Sequence, residues 1–304
     1  MSHLITYSTK ASKVNKTISI CIPCRFQRSQ SNFSVSPSTS DTPLLTRLKT
    51  EYKSMCFAQL SSEHHARGDV PHPMRISIDE GPYFPAHFAA LTIGNRILLT
   101  ASLQFASEVF PEFTNLPESE RWKIVKNFMF PFRILEGGHR SNKVFPDDPN
   151  RYFASYATYF CAHSATNFFT TAPQSDHTAA AEQYLHSPSF VNTIPEVRET
   201  LKRFNPSDEE FLALVALTFW NLENTDVGEE AMRVRDHYRD VLLKELHVIY
   251  RSSLQTYNCA VRLGELMMLQ QTLEKSNAMV EHLEVFRLFN VLPDDNFVYA
   301  IQRE

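Results

Sequence analysis

The sequence predicts an all-α domain, and three observations carry that prediction. Glycine is scarce, with seven in 304 residues, against a usual share of about 7%. Phenylalanine is abundant, with 23. Long segments space their apolar residues at the period of a helix rather than of a strand.

The elements follow in order. Residues 29–42 are polar and rich in Ser and Thr, the composition of a flexible hinge. Asp41 or Thr42 can cap a first helix, with Pro43 in the tolerated first turn. Leu45, Leu48 and Tyr52 carry it to about Leu60. Residues 61–83, which include His64 and His65, contain Gly68, Pro71, Pro73, Gly81 and Pro82 and read as a loop. Apolar residues at 88, 91, 98, 105 and 109 define a helix to about Phe110. Pro117 starts another at its first position, running to about Glu136. Gly137–Gly138 and Asp147–Asp148–Pro149 then read as turns, so residues 137–175 are expected to be irregular, with room for a short β-hairpin.

The C-terminal half is more regular. Ser207 caps a helix, with Glu210 at the capping-box position. The segment Phe211–Leu222 is apolar nearly all round, so it belongs inside the domain. Asp226 starts the next helix, with a stripe at Ala231, Val234, Tyr238, Leu242, Leu246 and Ile249. A Leu- and Met-rich helix is expected from about Gln255 to Phe289, ended by Pro293, and residues 297–301 can form a short amphipathic helix.

Composition excludes several functions. No GxGxxG or GxxxxGK[ST] loop exists to cradle a phosphate. HExxH and GxSxG are absent, Cys161 and His163 lie two apart in an aromatic-rich stretch and read as packing, and His64–His65 read as a solvated pair with no third ligand at metal spacing, so no enzyme is predicted. No apolar stretch is long enough to span a bilayer. Five cysteines at irregular spacing do not suggest a disulfide framework. The net charge of −4 conceals a basic start: residues 1–40 carry Lys10, Lys13, Lys16, Arg25 and Arg28 and no acid. Such a start suits either a mitochondrial presequence or the end of a nucleic-acid-binding element.

Cys21 and Cys24 form a CxxC before Arg25 and Arg28, a spacing that can supply two corners of a zinc tetrahedron. With its basic surroundings this segment resembles the end of the second zinc finger of nuclear receptors, departing at Ser29, where the family has a further Cys. Two ligands cannot fold a zinc domain. Residues 1–28 are therefore expected to be an unfolded, unmetallated remnant, with zinc and DNA binding restricted to a form that carries an upstream DNA-binding domain.

Residues 43–304 resemble the nuclear-receptor ligand-binding domain. Phe113, Leu116–Pro117, Ile124–Val125 and Lys126 look like the family's helix 3–4 signature, with Glu120–Arg121 in place of Asp–Gln. Glu210, Leu214, Ala216–Leu217 and Asn221 look like helix 8, and Arg262–Leu266 like the start of helix 10. The style is that of the divergent nematode branch. The resemblance implies a three-layer antiparallel helical sandwich and no cofactor. It also implies nuclear localisation, a lipophilic small-molecule ligand, coregulator proteins, and homo- or heterodimers through helix 10/11. Pocket candidates on the corresponding helices are Leu98, Phe105, Met129, Phe132, Met268 and Met279. In the family the equivalents of Glu210 and Arg262 form an internal ion pair; Glu210 can equally close its own capping box.

The coactivator groove would comprise Glu108, Lys126, Phe297, Val298 and Ile301. Glu108 occupies the position of a family Lys, and Ala300 that of a family Glu. This departure weakens the case for ligand-switched recruitment. Two functions are therefore carried forward: a ligand-responsive transcription regulator, and a ligand-independent dimerisation module that does not bind DNA.

Overall fold

The computed structural model describes residues 42–67, 81–172, 176–187, 189–222, 225–253 and 259–274. Residues 1–41, including Cys21 and Cys24, and residues 275–304, including Met279 and the segment 297–301, lie outside them. Nine α-helices and three short strands are present among the described residues.

Helix α1 (Pro43–Arg67) begins with proline in its first turn, where a missing N–H costs nothing. Its next two N–H groups are capped from a distance. Leu44 N and Leu45 N donate to the two carboxylate oxygens of Glu245, at 2.9 and 2.8 Å. A buried anion there satisfies orphan donors and the positive end of the helix dipole together. The helix runs on past Leu60, so His64 lies inside it, buried, rather than in a loop. Apolar neighbours such as Phe84, edge-on to the His64 ring at 5.4 Å, make this continuation favourable.

Helix α2 (Phe88–Val109) ends close to the expected position, and a 3-10 turn (Pro111–Asn115) leads towards α3 (Glu118–Val144). Pro117 sits just before α3, as its cap residue. Helix α3 does not stop at Glu136. It continues through Gly137–Gly138, although each glycine costs a helix about 1 kcal/mol. The cause is close approach. A Cβ on Gly137 would lie 2.8 Å from the Phe153 carbonyl oxygen, and one on Gly138 3.2 Å from Leu201. The glycine pair thus seats α3 against a strand and a later helix instead of making a turn.

Strands β1 (Phe84–Pro85), β2 (Arg151–Phe153) and β3 (Thr158–Cys161) form a sheet in the order β1-β3-β2. The β2–β3 hairpin pairs Tyr152 with Phe160. Its tip is held by Glu63 of α1, which accepts from Ser155 Oγ, Tyr156 N and Ala157 N at 2.5, 3.0 and 2.7 Å. Helices α4 (Ala165–Phe169) and α5 (His177–Leu185) follow, and a π-helical turn (Ser189–Thr193) leads into α6 (Ile194–Phe204). Asn205 ends α6 at φ 47°, a left-handed conformation that Asn tolerates.

Helix α7 (Asp208–Phe219) carries the capping box: Ser207 Oγ accepts from Glu210 N, and Glu210 accepts from Ser207 N. Every residue from Glu210 to Phe219 is buried. Helix α8 (Glu229–Ser253) begins three residues after Asp226. Asp226 instead receives Lys123 Nζ at its carbonyl and carboxylate oxygens. Helix α9 (Cys259–Glu274) is the described part of the predicted long helix.

The helices form a three-layer sandwich. Helices α1 and α2 make one outer layer, α3, α7 and α8 the middle, and α6 and α9 the other outer layer. The main core is dominated by aromatic rings. Phe219 touches Phe110, Phe113, Phe128 and Trp220 at centroid distances of 5.1–5.5 Å. A second apolar cluster, with Tyr152, Phe160, Phe168, Phe169 and Tyr184, gathers on the hairpin, α4 and α5. The expected fold class is the observed one.

The Glu245 cap generates a prediction. Glu245→Gln leaves one of the two α1 N–H groups facing an amide, and stability should fall by about 1–3 kcal/mol. Urea unfolding checks this: the midpoint should drop at unchanged slope, and an unchanged midpoint would show that α1 is held without the cap.

Candidate ligand cavity

A cavity of about 110 Å³ opens where the main core meets the second aromatic cluster. Helix α3 forms its floor. Met129, Arg133 and Gly137 line it at helical spacing, so one face of α3 points inward. Gly137 and Gly138 also border it, while the positions a Cβ would take on them face Phe153 and Leu201. Leu91 and Asn95 of α2, Tyr152, Ala154 and Phe160 of the hairpin, Phe168 and Tyr184 of α4 and α5, and Arg198 of α6 close the rest. The wall is thus mostly apolar and aromatic with a few polar groups, the usual composition of a small-molecule site.

The polar groups differ in how far they are satisfied. Tyr152 and Tyr184 pair their hydroxyls at 2.6 Å, and burial raises the pKa of both. Arg198 Nε donates to Asn142 Oδ1 at 3.0 Å, and its terminal nitrogens reach four backbone carbonyls of residues 141–151. It fastens α6 to the end of α3 and the start of β2. Arg133 Nη2 donates to Gly94 O and Asn95 Oδ1 at 3.1 and 3.3 Å, while its Nε is buried without a hydrogen-bond partner. Behind the hairpin, Arg140 lies 3.3 Å from Glu136 and stacks over Phe153 and Tyr156.

Of the residues expected to line a pocket, Met129 does so. Leu98, Phe105 and Phe132 do not. They are buried in the main core, where Phe132 lies against Phe128 at 4.8 Å and Phe105 against Phe110 at 6.3 Å. Their helical faces point away from the cavity. Met268 is 64% exposed, because α9 buries Leu266, Leu269 and Leu273 on its other face. In the expected groove, Glu108 is exposed on α2 and Lys126 half-buried on α3. Asn95, Arg133, Tyr152, Tyr184 and Arg198 were not anticipated. The signal for Arg133 was present: it is the one charged residue in the apolar run Phe128–Leu135.

Glu210 and Arg262 are brought together. Arg262 Nε and Nη2 meet the two Glu210 oxygens at 2.7 and 2.8 Å, a bidentate pair. Tyr250 Oη donates to Glu210 Oε1 at 3.0 Å. Arg262 also donates to Phe204 O and Asn205 O, at 2.9 and 3.2 Å. One carboxylate therefore serves both the ion pair and the capping box. Among the described residues, no group of three or more His, Cys, Asp and Glu is placed to hold a metal ion. No helix there is long and apolar enough to cross a membrane.

A family model described as the ligand-binding domain of nuclear hormone receptor matches residues 96–289, more than half of the chain. This chain belongs to the nuclear hormone receptor family. It is similar to nuclear hormone receptor family member nhr-53 of Caenorhabditis elegans, 23% identical over 269 residues, which cover 84% of this chain and 67% of that protein. It is also similar to family member nhr-28 of Caenorhabditis briggsae, 24% identical over 195 residues, covering 63% of this chain and 44% of that protein. To family member nhr-57 of Caenorhabditis elegans it is 25% identical over 201 residues, covering 65% and 53% respectively. The chain thus spans two thirds of one relative's length and about half of the other two. Members of this family are transcription factors and not enzymes.

The Glu210 carboxylate should show in the pH dependence of stability. Burial opposes its charge, but Arg262, the Ser207 N–H and the Tyr250 hydroxyl outweigh burial and hold its pKa below the ordinary 4.5. A depressed folded pKa contributes stability above the unfolded value, and that contribution is lost as pH falls through the folded one. The urea midpoint should therefore fall below about pH 4.5, and more gently in Glu210→Gln. At neutral pH Arg262→Met should cost about 3 kcal/mol, because it strands a buried carboxylate.

Proposed function

We propose that this chain is a nuclear-receptor-type transcription regulator that takes an apolar small molecule in the cavity over α3. The observation that carries the reading is the cavity itself: a largely aromatic chamber at the meeting of two apolar clusters. A close-packed interior has little reason to leave such a space at a functionless position. In this reading the protein acts in the nucleus through coregulator proteins. These engage the surface near Glu108 and Lys126, with Phe297, Val298 and Ile301 contributing from the C-terminal segment. Glu108 carries the opposite charge to the family's Lys at that position, so the partner helix differs from the usual one at that end. Cys21 and Cys24 mark a relation to the zinc-finger module, and binding to DNA or zinc belongs to a form that carries that module whole.

A second reading has its own support. Val261 and Met268 are 53% and 64% exposed on α9, one helical face apart from its buried leucines. Apolar side chains held in water suit a dimerisation surface on helix 10/11, which works with or without a ligand.

Native mass spectrometry separates the two. The ligand reading expects an apolar molecule of low mass to co-purify with the full chain. Ala154→Leu should displace it by filling the cavity, while the melting temperature of the ligand-free protein stays the same or rises. A protein that is empty, and that no apolar compound stabilises against heat, would leave the dimerisation module as the function.

A further inference from the structure

We propose that Glu63 of α1 is a positioning residue for the cavity: by holding the tip of the β2–β3 hairpin it fixes the wall against which a ligand packs. This rests on the cavity being a ligand site, and adds a residue outside it on which its shape depends.

The hairpin supplies one side of the cavity through Tyr152, Phe153, Ala154 and Phe160. Among the described residues, none of α1 lines it. Yet α1 grips the hairpin just beyond the lining. Glu63 Oε2 accepts from Ser155 Oγ and Ala157 N at 2.5 and 2.7 Å, and Oε1 accepts from Tyr156 N at 3.0 Å. All three donors sit in the turn after Ala154. That turn is a tight unit. Ala154 N and Ser155 N both donate to Thr158 O, at 2.9 and 3.1 Å, and the Ser155 and Thr158 hydroxyls meet at 2.6 Å. A displacement of the tip therefore passes to Ala154 and, through the Tyr152–Phe160 pair, to rings that line the cavity.

The grip is strong because Glu63 depends on it. The residue is 4% exposed. Among the described residues, no cation forms an ion pair with it within 4.0 Å. A buried carboxylate in that position is stable only through its hydrogen bonds, and bonds to an ionised acceptor are the stronger kind. Letting the tip go would strand the charge.

Helix α2 bounds the tip from another side. A Cβ on Gly94 would lie 2.9 Å from Ser155 Cβ and 3.3 Å from Glu63 Oε1. Glycine inside a helix costs about 1 kcal/mol against alanine, and room for the hairpin tip accounts for it here. The tip thus sits in a notch between the Glu63 carboxylate and bare α2 backbone. Elsewhere the hairpin is tied to helices that line the cavity themselves: Arg198 of α6 donates to Arg151 O, and Ser141 Oγ of α3 accepts from Phe153 N. Glu63 is the tie that comes from outside the lining.

The test uses benzene, which enters dry apolar cavities of about this size, titrated into the ligand-free full chain with affinity read by ligand-observed NMR. Glu63→Gln turns an amide NH2 towards a backbone N–H, and Gly94→Ala pushes Ser155 while giving α2 a better helix former. Both should bind benzene about tenfold more weakly, the factor that loss of one hydrogen bond to a charged group corresponds to when it lowers the binding-competent population. Glu245→Gln, which loosens α1 at its other end, should bind as the native protein does. Native affinity in both Glu63→Gln and Gly94→Ala overturns the positioning role and leaves the cavity as a ligand site. An equal loss in Glu245→Gln marks general destabilisation and overturns it too. Hydrogen exchange in the native protein decides the question even if the variants fail to fold. At a concentration about ten times its dissociation constant, benzene should slow exchange of the Tyr156 and Ala157 amides by up to about tenfold, although they bond to Glu63. Unchanged exchange there overturns the coupling. No benzene binding by the native protein overturns the cavity reading together with this one.

Discussion

The carboxylate of Glu210 is where four helices meet. It closes the capping box at the start of α7, accepts the Tyr250 hydroxyl from α8 and pairs with Arg262 of α9. Through Arg262 it also reaches the last carbonyls of α6, at Phe204 and Asn205. The middle layer and one outer layer of the sandwich are therefore fixed relative to each other by one polar node. Burial of a charge is expensive, so a node of this kind is stable only when every lone pair is met. The arrangement makes α7, apolar on all sides, the fixed element against which the rest is placed.

The cavity follows from what that fixed frame leaves to α3. Helix α3 contacts both outer layers and the hairpin, and it achieves this with glycine where a side chain would not fit. Gly137 lets the Phe153 carbonyl approach, and Gly138 admits Leu201. Ser141, one turn on, then accepts the Phe153 N–H and donates to Gly137 O. These close approaches set the hairpin and α6 against α3, and the cavity lies beside that seam, bordered by Met129 and Arg133 on the same helix.

The sequence made most of the helices legible, because burial on one face writes a helical period into the chain. Ser207 and Glu210 also announced their capping box through residue type and spacing. Three features were hidden for physical reasons. Gly137–Gly138 looks like a turn when only local propensity is considered, since the neighbours that favour glycine lie at Phe153 and Leu201. The cap on α1 comes from Glu245, some two hundred residues away. Leu98, Phe105 and Phe132 lie in the main core and not on this cavity, a distinction the sequence does not carry, because a buried apolar residue looks the same whether it faces a core or a void. Arg133 was the readable exception: a charge in an apolar run needs a reason.

That reason bears on how the two arginines divide their work. A guanidinium surrounded by carbonyls, as Arg198 is, gains a full set of hydrogen bonds without introducing an opposing charge, and it acts as a fastener. A guanidinium with free donors beside an apolar space pays the desolvation of a cation without the full return. Burial lowers the Arg133 pKa, and the pull of Glu63 and Glu136 only partly offsets it. What Arg133 does gain is a tie between helices: its Nη2 donates to Gly94 O and Asn95 Oδ1, which holds α3 to α2 at the edge of the cavity.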